Sequence, residues 1–404
     1  MNILLLNAGS SSHKSCLYQS GAGAEPPAGP PLPLWEAQID WQQSPPLLTA
    51  TGTEKTVKID LAGDDRAEAI AQMLHTLHQG ETAVLSGLSE IDTVGHRVVH
   101  GGQAYQQSVW VDEQVKAAIA DLIPLAPAHN PASLEGIHAI DQLLPNVRQY
   151  AVFDTAFHSK MPAVAAFYSI PQAWTDSGIR RYGFHGISHQ YCSQRAAELL
   201  RRSLEDLRAV TCHLGNGCSL AAVQGGRSID TTMGFTPLEG LMMGTRSGNI
   251  DPGILTYLIR EKGYTSEQLD HQLNKESGLK GVSGLSSDMR KLKSAMDEGH
   301  AQAKLAIDMY IHRLAAGIAA MTASLGGLDV LVFTGGIGEN TPFIRNRACQ
   351  SLAFLDIALS KKGEMSGEGD RDISTQQSKV RVLVMHAQED WQIAKEYWQL
   401  ERKS

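Results

Sequence analysis

Residues 209–223 read AVTCHLGNGCSLAAV, an apolar strand, a tight turn of glycine and asparagine, and a returning apolar strand. The N-terminus repeats this order, because the apolar residues 3–6 lead into the polar turn 7–12 and residues 13–18 predict a returning strand. One such unit in each half of the chain indicates an internal duplication, with one glycine- or serine-lined phosphate loop per half. The serine-rich first copy is also compatible with a simple hairpin, and the P-loop pattern is absent.

Residues 230–251 read DTTMGFTPLEGLMMGTRSGNID and contain one arginine, Arg246, among glycine, threonine and serine. The glycines let the backbone turn tightly and approach a ligand closely. A guanidinium in this setting suits a carboxylate or phosphoryl group, which it grips through two hydrogen bonds. The alternative is an ordinary glycine-rich surface loop with a solvated arginine. The rest of the chain favours the ligand site.

The bulk properties exclude several classes of protein. A chain of 404 residues is long enough for two domains with cores. Its net charge of −8 and the lack of a long basic run argue against a nucleic-acid partner. No apolar stretch approaches the ~20 residues needed to cross a membrane, and the N-terminus lacks the basic region of a secretory signal. The five cysteines form no C-x-x-C pair, which indicates reduced thiols in a cytosolic protein.

Arg97 lies inside the apolar strand predicted at 92–102. A buried arginine there would need a ligand or a carboxylate, whereas an edge strand would let it face water. His96 and His100 would share one face of this strand, and we interpret them as core or supporting histidines.

Asp154 and His185 are further candidates. Asp154 follows an apolar strand within 150–158, at the sheet edge where α/β proteins place reactive groups. The alternative is a capping or turn aspartate. His185 lies in the glycine-hinged loop 180–189, where the alternative is a loop histidine packed on Phe184.

Periodicity and breaker residues predict the remaining elements. Residues 20–34 are rich in glycine and proline and predict an exposed insertion, and residues 281–290 predict a Gly/Ser loop. The glycine turn 335–338, between a strand and a helix N-terminus, predicts a nucleotide-binding corner. We predict further strands at 35–41, 56–61, 329–334 and 379–385, and helices at 64–79 (capped by Asp64), 133–144, 188–201 (capped by Ser188), 251–261, 265–273, 301–325, from 341 onward, and 389–399.

Taken in order and spacing, these motifs resemble the acetate kinase family. The matching residues are NAGSSS with Lys14, GHRVVHGG, VFDTAFH, RYGFHGISH, HLGNG, DTTMGFTPLEGLMMGTRSG, SSDMR and FTGGIGEN, and they cover essentially the whole chain apart from 20–34. The resemblance implies an α/β fold of duplicated ribonuclease H-like (actin-like ATPase) domains around a nucleotide cleft. It implies an N-terminal domain of residues 1–150 closed by the C-terminal helix of 386–404, and a C-terminal domain of 151–385 with most of the nucleotide site. It further implies a cytoplasmic homodimer whose partners are acetate and ATP, with no nucleic acid or membrane.

The resemblance also implies a role for individual residues. Asp154 is the family's proposed acid/base, and His185 and Arg246 would stabilise the transferring phosphoryl group. The substrate would be bound by Arg97, Val99, His129, Phe184 and Pro237. The nucleotide would be bound by Lys14, His213, Leu214, Gly215, Asn216, Gly217, Asp288, Met289, Arg290, Gly336, Ile337, Gly338, Glu339 and Asn340. The metal, Mg²⁺ or alternatively Mn²⁺, would be bound by Asn7 and Glu389.

This chain departs from the family pattern at three places, and at one of them, His13 in place of the usual apolar residue before Lys14, the departure has no interpretation. Ala128 stands where a larger apolar residue usually precedes the equivalent of His129. If that side chain lines the methyl pocket, the pocket is roomier, and one methylene changes discrimination by only ~1–3 kcal/mol. A propionate or other short-chain acyl kinase therefore stays an alternative. The usual N-E-E near the C-terminus is Gln388-Glu389-Asp390 here, which keeps the carboxylate of Glu389.

The implied reaction is the reversible transfer of a phosphoryl group from ATP to acetate. Two arginines and Mg²⁺ would neutralise the repulsion between carboxylate and γ-phosphate. An acid with a pKa near ~4–5 is already ionised at pH 7 and needs no general base. We therefore expect Asp154 to orient an arginine or metal-bound water, and the transfer to be direct and in line. A nucleotide-gated binding protein of the actin/Hsp70 type is the disfavoured alternative, because it would give the arginine pair no purpose.

Overall fold

The structure is a computed structural model that describes residues 1–9, 12–21, 26–27, 29–63, 65–127, 129–360 and 369–403. Several predictions fall at least partly outside these residues: the cap Asp64, the pocket residue Ala128, the turn 7–12 and the insertion 20–34. The described residues of the insertion form neither helix nor strand. Within the ranges above, no helix has both the length and the apolar content that crossing a bilayer requires.

The described residues form fourteen strands and fourteen α-helices. The strands are β1 (Asn2–Ala8), β2 (Ser12–Gln19), β3 (Trp35–Asp40), β4 (Leu47–Thr51), β5 (Thr56–Asp60), β6 (Thr93–Val98), β7 (Val109–Trp110), β8 (Arg148–Phe153), β9 (Arg208–Leu214), β10 (Cys218–Gln224), β11 (Arg227–Thr231), β12 (Val330–Thr334), β13 (Arg371–Asp372) and β14 (Arg381–Val384). The helices are α1 (Arg66–His78), α2 (Glu113–Asp121), α3 (Asn130–Leu143), α4 (Ala163–Ala166), α5 (Gln172–Asp176), α6 (Gly186–Leu200), α7 (Pro252–Lys262), α8 (Ser266–Lys275), α9 (Gly278–Ser283), α10 (Met289–Asp297), α11 (Ala301–Leu325), α12 (Gly335–Asn340), α13 (Pro342–Ser351) and α14 (Glu389–Glu401).

The chain divides into two compact units, each built on one mixed sheet. Unit 1 comprises Met1–Phe157 and Gln388–Ser404, and unit 2 comprises His158–Ala387. The sheet of unit 1 has the strand order β5-β4-β3-β2-β1-β6-β8-β7, and that of unit 2 has the order β11-β10-β9-β12-β14-β13.

The two sheets share one topology. In unit 1, β1 pairs antiparallel with β2 and parallel with β6, which pairs parallel with β8. In unit 2, β9 pairs antiparallel with β10 and parallel with β12, which pairs parallel with β14. Each sheet also adds a short antiparallel strand, β7 or β13, beyond the last parallel one. The duplicated α/β fold that the repeat predicted is confirmed.

The core of unit 1 joins its sheet to α1, α3 and α14. Strand and helix side chains such as Leu4, Trp35 and Met73 are 0–1 % exposed and belong to one apolar cluster. Trp391 of α14 packs edge-to-face against Tyr18, with ring centroids 5.4 Å apart. Burying each large apolar side chain of this kind contributes roughly 1.5–3 kcal/mol, so the last helix is an integral part of unit 1.

Two long helices cover the sheet of unit 2. Neighbouring residues of β10 face opposite sides of the sheet. Ser219 contacts His189 of α6, whereas Leu220 lies against Gly317 of α11, where an added Cβ would approach Leu220 to 2.8 Å. Helices α6 and α11 therefore lie on opposite faces, and α11 can approach closely because residue 317 is a glycine.

Several element boundaries differ from the predictions for local reasons. Helix α1 is capped by Asp65, whose carboxylate accepts the N–H groups of Ala67 and Glu68. Helix α6 begins at Gly186 with His185 as its cap, whereas Ser188 lies within the first turn. Residues 335–338, predicted as a turn, lie in the helix α12.

The bounds of three other segments also differ from the predicted ones. Helix α3 begins at Asn130 rather than 133, because Pro131 fits its first turn. Strand β6 ends at Val98, so His100 lies beyond it and does not share a strand face with His96. The predicted loop 281–290 instead contains the end of α9 and the start of α10.

Candidate active site

Arg97 and Asp154 form an ion pair at the carboxyl ends of two adjacent parallel strands. Arg97 is near the end of β6, and Asp154 follows β8 directly. Nε of Arg97 donates to Oδ1 of Asp154 over 3.0 Å, and Nη2 donates to Oδ2 over 2.6 Å. The side chains are 17 % and 2 % exposed, respectively. A two-pronged bond of this kind fixes the plane of the guanidinium as well as its position.

Asn7 of β1 joins this pair to the start of α14. Its Oδ1 accepts a hydrogen bond from Nη1 of Arg97 over 3.0 Å, and its Nδ2 donates to Oδ1 of Asp390 over 3.4 Å. Three strand ends and one helix N-terminus therefore converge at one place in unit 1. Sequence reasoning named Asn7 and Glu389 but missed Asp390, although the acidic pair at 389–390 was visible.

The electrostatics of this cluster combine burial with close charges. Burial opposes the charged form of Arg97, but the carboxylates of Asp154 and Glu389 outweigh it and raise the pKa of the guanidinium. Burial, followed by the charge of Glu389, raises the pKa of Asp390. Two adjacent acids at a helix start thus repel each other, and a cation would relieve this repulsion.

The donor set of this cluster fits a hard cation. Asn7, Glu389 and Asp390 offer carboxylate and amide oxygens, the ligands that Mg²⁺ prefers. Mg²⁺ keeps several waters and commonly takes only one or two protein carboxylates beside substrate phosphates. The described part of the chain contains no group of three His, Cys, Asp or Glu residues placed to hold a metal without such help.

Lys14 and two predicted substrate-binding residues also belong to unit 1. Lys14 of β2 pairs with Asn7 in the sheet register, and its side chain is exposed. Val99 follows β6 and is 4 % exposed. His129 precedes α3, and the neighbouring side chain of Asn130 bonds the backbone of His100 in both directions.

In unit 2, Arg246 and His185 lie beside the turn that follows β9. A Cβ added to Gly217 would be 3.4 Å from Nε2 of His185 and 3.6 Å from Nη1 of Arg246. Nη1 of Arg246 donates to the carbonyl of Pro237 over 3.2 Å. Burial lowers the pKa of Arg246, and no carboxylate among the described residues forms an ion pair with it. A guanidinium held this way is suited to bind an anionic ligand.

A clamp of three side chains holds the loop 230–251. Nη2 of Arg181 donates to Oε1 of Glu239 over 2.6 Å, and the hydroxyl of Tyr168 donates to Oε2 of Glu239. The clamp depends on the glycine at 234, where a Cβ would overlap Glu239 and Tyr168. Sequence reasoning missed this clamp, because its members lie about 60–70 positions apart.

Four histidines of unit 2 lie together around α6. The rings of His185 and His213 stack with centroids 4.3 Å apart, and Ser188 Oγ lies 2.8 Å from Nδ1 of His213. Burial lowers the pKa of His158 to about 4 and that of His189 well below its ordinary value. The carbonyl of Phe184, itself 1 % exposed, lies 3.1 Å from Nε2 of His158. Both buried rings are therefore neutral at pH 7.

A cavity of about 410 Å³ lies in unit 2, within the size range of small-molecule sites. Eight residues predicted to bind the nucleotide line it: Gly215, Asn216, Asp288, Met289, Arg290, Gly336, Ile337 and Asn340. Ser287 and Thr341 also line it and were not predicted. Of the other predicted residues, Lys14 belongs to unit 1, and the cavity lining does not include His213, Leu214, Gly217, Gly338 or Glu339.

Two carboxylates shape the walls of this cavity. Asp288 caps α10 and accepts hydrogen bonds from the backbone N–H and the guanidinium of Arg290. Glu339 accepts the N–H of Gly335 over 2.9 Å and that of Ala387 over 3.2 Å. Glu339 therefore holds the start of α12, and the helix presents Gly336 and Asn340 to the cavity.

A repeated mixed sheet, an arginine–imidazole cluster and a cavity of small-molecule size together favour a phosphotransferase of the α/β class. The family model of the acetokinase family matches residues 2–395. The chain belongs to the acetokinase family, and is thus a phosphotransferase with a carboxyl group as acceptor. The predictions of family, fold class and enzyme class are therefore confirmed. The family uses ATP.

Similar proteins cover the whole chain. It is 58% identical to an acetate kinase from Gloeobacter violaceus over 99% of each chain, and 58% identical to one from Microcystis aeruginosa over 99% of this chain and 100% of the relative. Its structure matches that of Porphyromonas gingivalis acetate kinase with a TM-score of 0.90 at 39% identity, covering 99% of each chain. It matches a propionate kinase from Francisella tularensis with a TM-score of 0.89 at 38% identity, covering 98% of each.

Proposed function

We propose that this protein transfers the γ-phosphoryl group of ATP to acetate, reversibly, giving acetyl phosphate and ADP. The observation that carries the proposal is Arg246, a largely buried guanidinium without a carboxylate partner among the described residues, beside His185. Relatives that are 55–58% identical over the whole chain bear the name acetate kinase. The cavity of about 410 Å³ in the same unit would bind the nucleotide.

Arg97 would bind the carboxylate of the acceptor. An arginine has five N–H donors. Asp154 and Asn7 accept three of those of Arg97, from Nε, Nη2 and Nη1. One N–H on each of Nη1 and Nη2 is then available to a ligand. The resemblance also supports acceptor contacts by Val99, His129, Phe184 and Pro237, which remain part of the proposal.

Asp154 would act by orienting Arg97, not as a general base. Its carboxylate accepts the side-on pair of hydrogen bonds from Nε and Nη2, Asn7 accepts one from Nη1, and one N–H on each of Nη1 and Nη2 is left for the acceptor. The acceptor is already ionised at pH 7, so no proton has to be removed. This role agrees with the expectation from the chemistry of carboxylate acceptors.

Arg246 and His185 would stabilise the charge of the phosphoryl group during an in-line transfer. Lys14 would contact the phosphates of the nucleotide. Mg²⁺, or alternatively Mn²⁺, would be held by Asn7 and Glu389 with the help of Asp390, and when bound it would neutralise phosphate charge. Transfer without a phosphoenzyme predicts inversion of configuration at phosphorus.

We further propose that the protein is a cytoplasmic homodimer. Each subunit would have two actin-like domains, one of residues 1–150 with 386–404 and the other of residues 151–385. Helix α7 supports the dimer: none of its residues is buried, and Ile254, Tyr257 and Ile259 are 45–51 % exposed. An amphipathic helix normally buries its apolar face. The last turn of α7 also carries charges of both signs, Arg260, Glu261 and Lys262, which suits contact between two copies of one surface.

The function is tested by acid-dependent consumption of ATP with Mg²⁺ and hydroxylamine, which traps acyl phosphates as hydroxamates. Acetate, propionate, butyrate and no acid are compared side by side. Hydroxamate formed fastest from acetate supports the proposal. ATP hydrolysis without acid dependence and without hydroxamate rejects it and favours a nucleotide-gated binding protein.

Propionate is the second candidate acceptor. The match to the Francisella propionate kinase is almost as close as that to the Porphyromonas acetate kinase, so the fold does not separate the two acids. Ala128, the residue that suggests a roomier pocket, lies outside the described residues. A kcat/KM for propionate equal to or above that for acetate would select this candidate.

A further inference from the structure

Ser219 is at the centre of a chain of hydrogen bonds that ends at His185. Its hydroxyl is 2.9 Å from Nδ1 of His185 and 2.7 Å from Nε2 of His189. Nδ1 of His189 is in turn 2.7 Å from Oγ1 of Thr211. Ser219, His189 and Thr211 are all 0 % exposed. This chain of hydrogen bonds therefore leads from the interior of unit 2 to the imidazole ring of His185, beside Arg246.

Secondary structure holds this chain in place. Ser219 of β10 is opposite His213 of β9 in the sheet register, and Thr211 lies two residues before His213. Alternation along a strand places these side chains on the same face of the sheet. His185 and His189 are four residues apart at the start of α6, so they lie on one side of that helix. The strand face and the helix face meet at Ser219.

We propose that Ser219 is a positioning residue, which fixes the tautomer and the ring orientation of His185 through the chain Thr211–His189–Ser219–His185. The proposal rests on the proposed function of His185 as a donor to the phosphoryl group. A neutral His185 that donates from Nε2 must accept at Nδ1. Ser219 then donates its O–H to Nδ1 of His185.

Once Ser219 donates to His185, the donors and acceptors in the other hydrogen bonds of the series are determined. Ser219 Oγ accepts the Nε2–H of His189, and Nδ1 of His189 accepts the O–H of Thr211. Burial lowers the pKa of His189, which keeps one of its ring nitrogens a donor and the other an acceptor. Nε2 of His185 is on the side of the ring that faces Gly217 and Arg246. The hydroxyl of Ser219 thereby directs an N–H toward the place where phosphoryl charge would develop.

The test compares Ser219→Ala with Ser193→Ala, a matched change of a buried serine in α6 whose hydroxyl donates to the backbone carbonyl of Gln190 and to no other group among the described residues. The imidazole ¹⁵N signals of the full chain report the tautomer, and the His185 signal is identified by its loss in His185→Asn. We expect the Nε2–H form in the unaltered chain and in Ser193→Ala, and a mixture of tautomers in Ser219→Ala. Removing a supporting partner of this kind should lower kcat about 10- to 100-fold, with the KM for ATP changed little.

Unchanged His185 signals and an unchanged kcat in Ser219→Ala would overturn the proposal. So would an equal loss of thermal stability in the two serine variants with no change of tautomer. If Ser219→Ala does not fold, Thr211→Val removes the far donor, and an unaltered His185 signal there has the same meaning. Because the NMR signals need no turnover, a failure to form hydroxamate would reject the proposed function while the tautomer result stands separately.

Discussion

At the scale of single residues, side chains from three separate stretches of the chain meet at the carboxyl ends of β1, β6 and β8. Arg97 and Asp154 were both predicted site residues, but their ion pair joins positions 57 apart. Asn7 is 90 positions from Arg97. Single-sequence periodicity places residues on elements but does not pair elements that are distant along the chain. The pairing here follows from the parallel order β1-β6-β8, which appears only in the folded sheet.

The Arg97–Asp154 pair gives the first prediction. Asp154→Asn removes the negative charge and one strong acceptor, so the guanidinium of Arg97 loses its fixed plane. We expect kcat/KM for acetate to fall about 100-fold, the scale of losing one oriented donor in an active site, without a shift of the pH profile. Steady-state kinetics from pH 6 to 9 would check this.

A matched control is available in unit 2. Asp329 accepts the same kind of two-pronged bond from Arg208, over 3.1 Å at both contacts, at the ends of β9 and β12 opposite to those that lead to the cavity. Asp329→Asn should leave the kinetics unchanged. If Asp154→Asn moves the pH profile and leaves kcat/KM at its optimum intact, Asp154 is a titrating base, and the orienting role is wrong.

At the scale of elements, strongly periodic segments were predicted and glycine-rich ones were not. Helix α11 has the predicted bounds 301–325, because its apolar residues recur at helical spacing. The glycine-rich segment 335–338 was predicted as a turn. It is a helix because the carboxylate of Glu339 accepts the N–H of Gly335, a contact with no signal in the local pattern.

The clamp on the loop 230–251 gives a prediction at this scale. Glu239→Gln weakens the bonds to Arg181 and Tyr168, so the loop that carries Pro237 and Arg246 loses its support. We expect kcat/KM for acetate to fall about 10-fold, as for other supporting contacts, while the KM for ATP stays within twofold. The control is Glu276→Gln, which breaks an exposed pair with Lys280. Equal kinetics for both variants would show that the clamp has no role in positioning the loop.

Helix α7 gives a second prediction at this scale. Ile254→Asp places a charge on its exposed apolar face, which should dissociate the proposed dimer, because burying an unpaired carboxylate is costly. Light scattering after size exclusion would show the mass per particle fall by half. The control is Leu305→Asp, since Leu305 of α11 is similarly exposed at 47 %. A monomeric unaltered protein, or a dimer that survives the α7 change, contradicts the assignment of this surface.

At the scale of the whole molecule, the duplication was predictable because the order strand, turn, strand occurs once in each half of the sequence, although the residues of the two turns differ. The small edge strands β7 and β13 were not, since two residues carry no periodic signal. Which helix packs against which sheet was not predictable either, because it depends on contacts between residues that are distant along the chain.

Buried neutral histidines give a prediction about the molecule as a whole. Burial lowers the pKa of His13 to about 3, and burial lowers those of His96 and His158 to about 4. In the unfolded chain these groups titrate near 6.5. Below pH 6.5 the unfolded state therefore binds protons that the native state does not. Each histidine then lowers the free energy of unfolding by roughly 1.4 kcal/mol per pH unit, until the pH reaches its native pKa.

We expect urea unfolding to show constant stability from this source above pH 6.5 and a decline between pH 6.5 and 5, before most carboxylates titrate. The raised pKa values of Asp390 and Glu396 act in the opposite direction, but they are fewer. His96→Asn should reduce the slope, whereas Ser193→Ala, which removes no titratable group, should not. A free energy of unfolding that is the same at pH 6.5 and pH 5 contradicts this account.

Helix α14 has a consequence for synthesis on the ribosome. Its Trp391, Ile393 and Ala394 are part of the core of unit 1, whose other residues are all made before unit 2 begins. The first unit made is therefore the last one completed, and its apolar surface waits for α14 while more than two hundred later residues emerge. Unit 2, which is continuous, can finish folding first. The nascent chain thus exposes an unfinished N-terminal half throughout elongation, and this is where we expect a molecular chaperone to bind it.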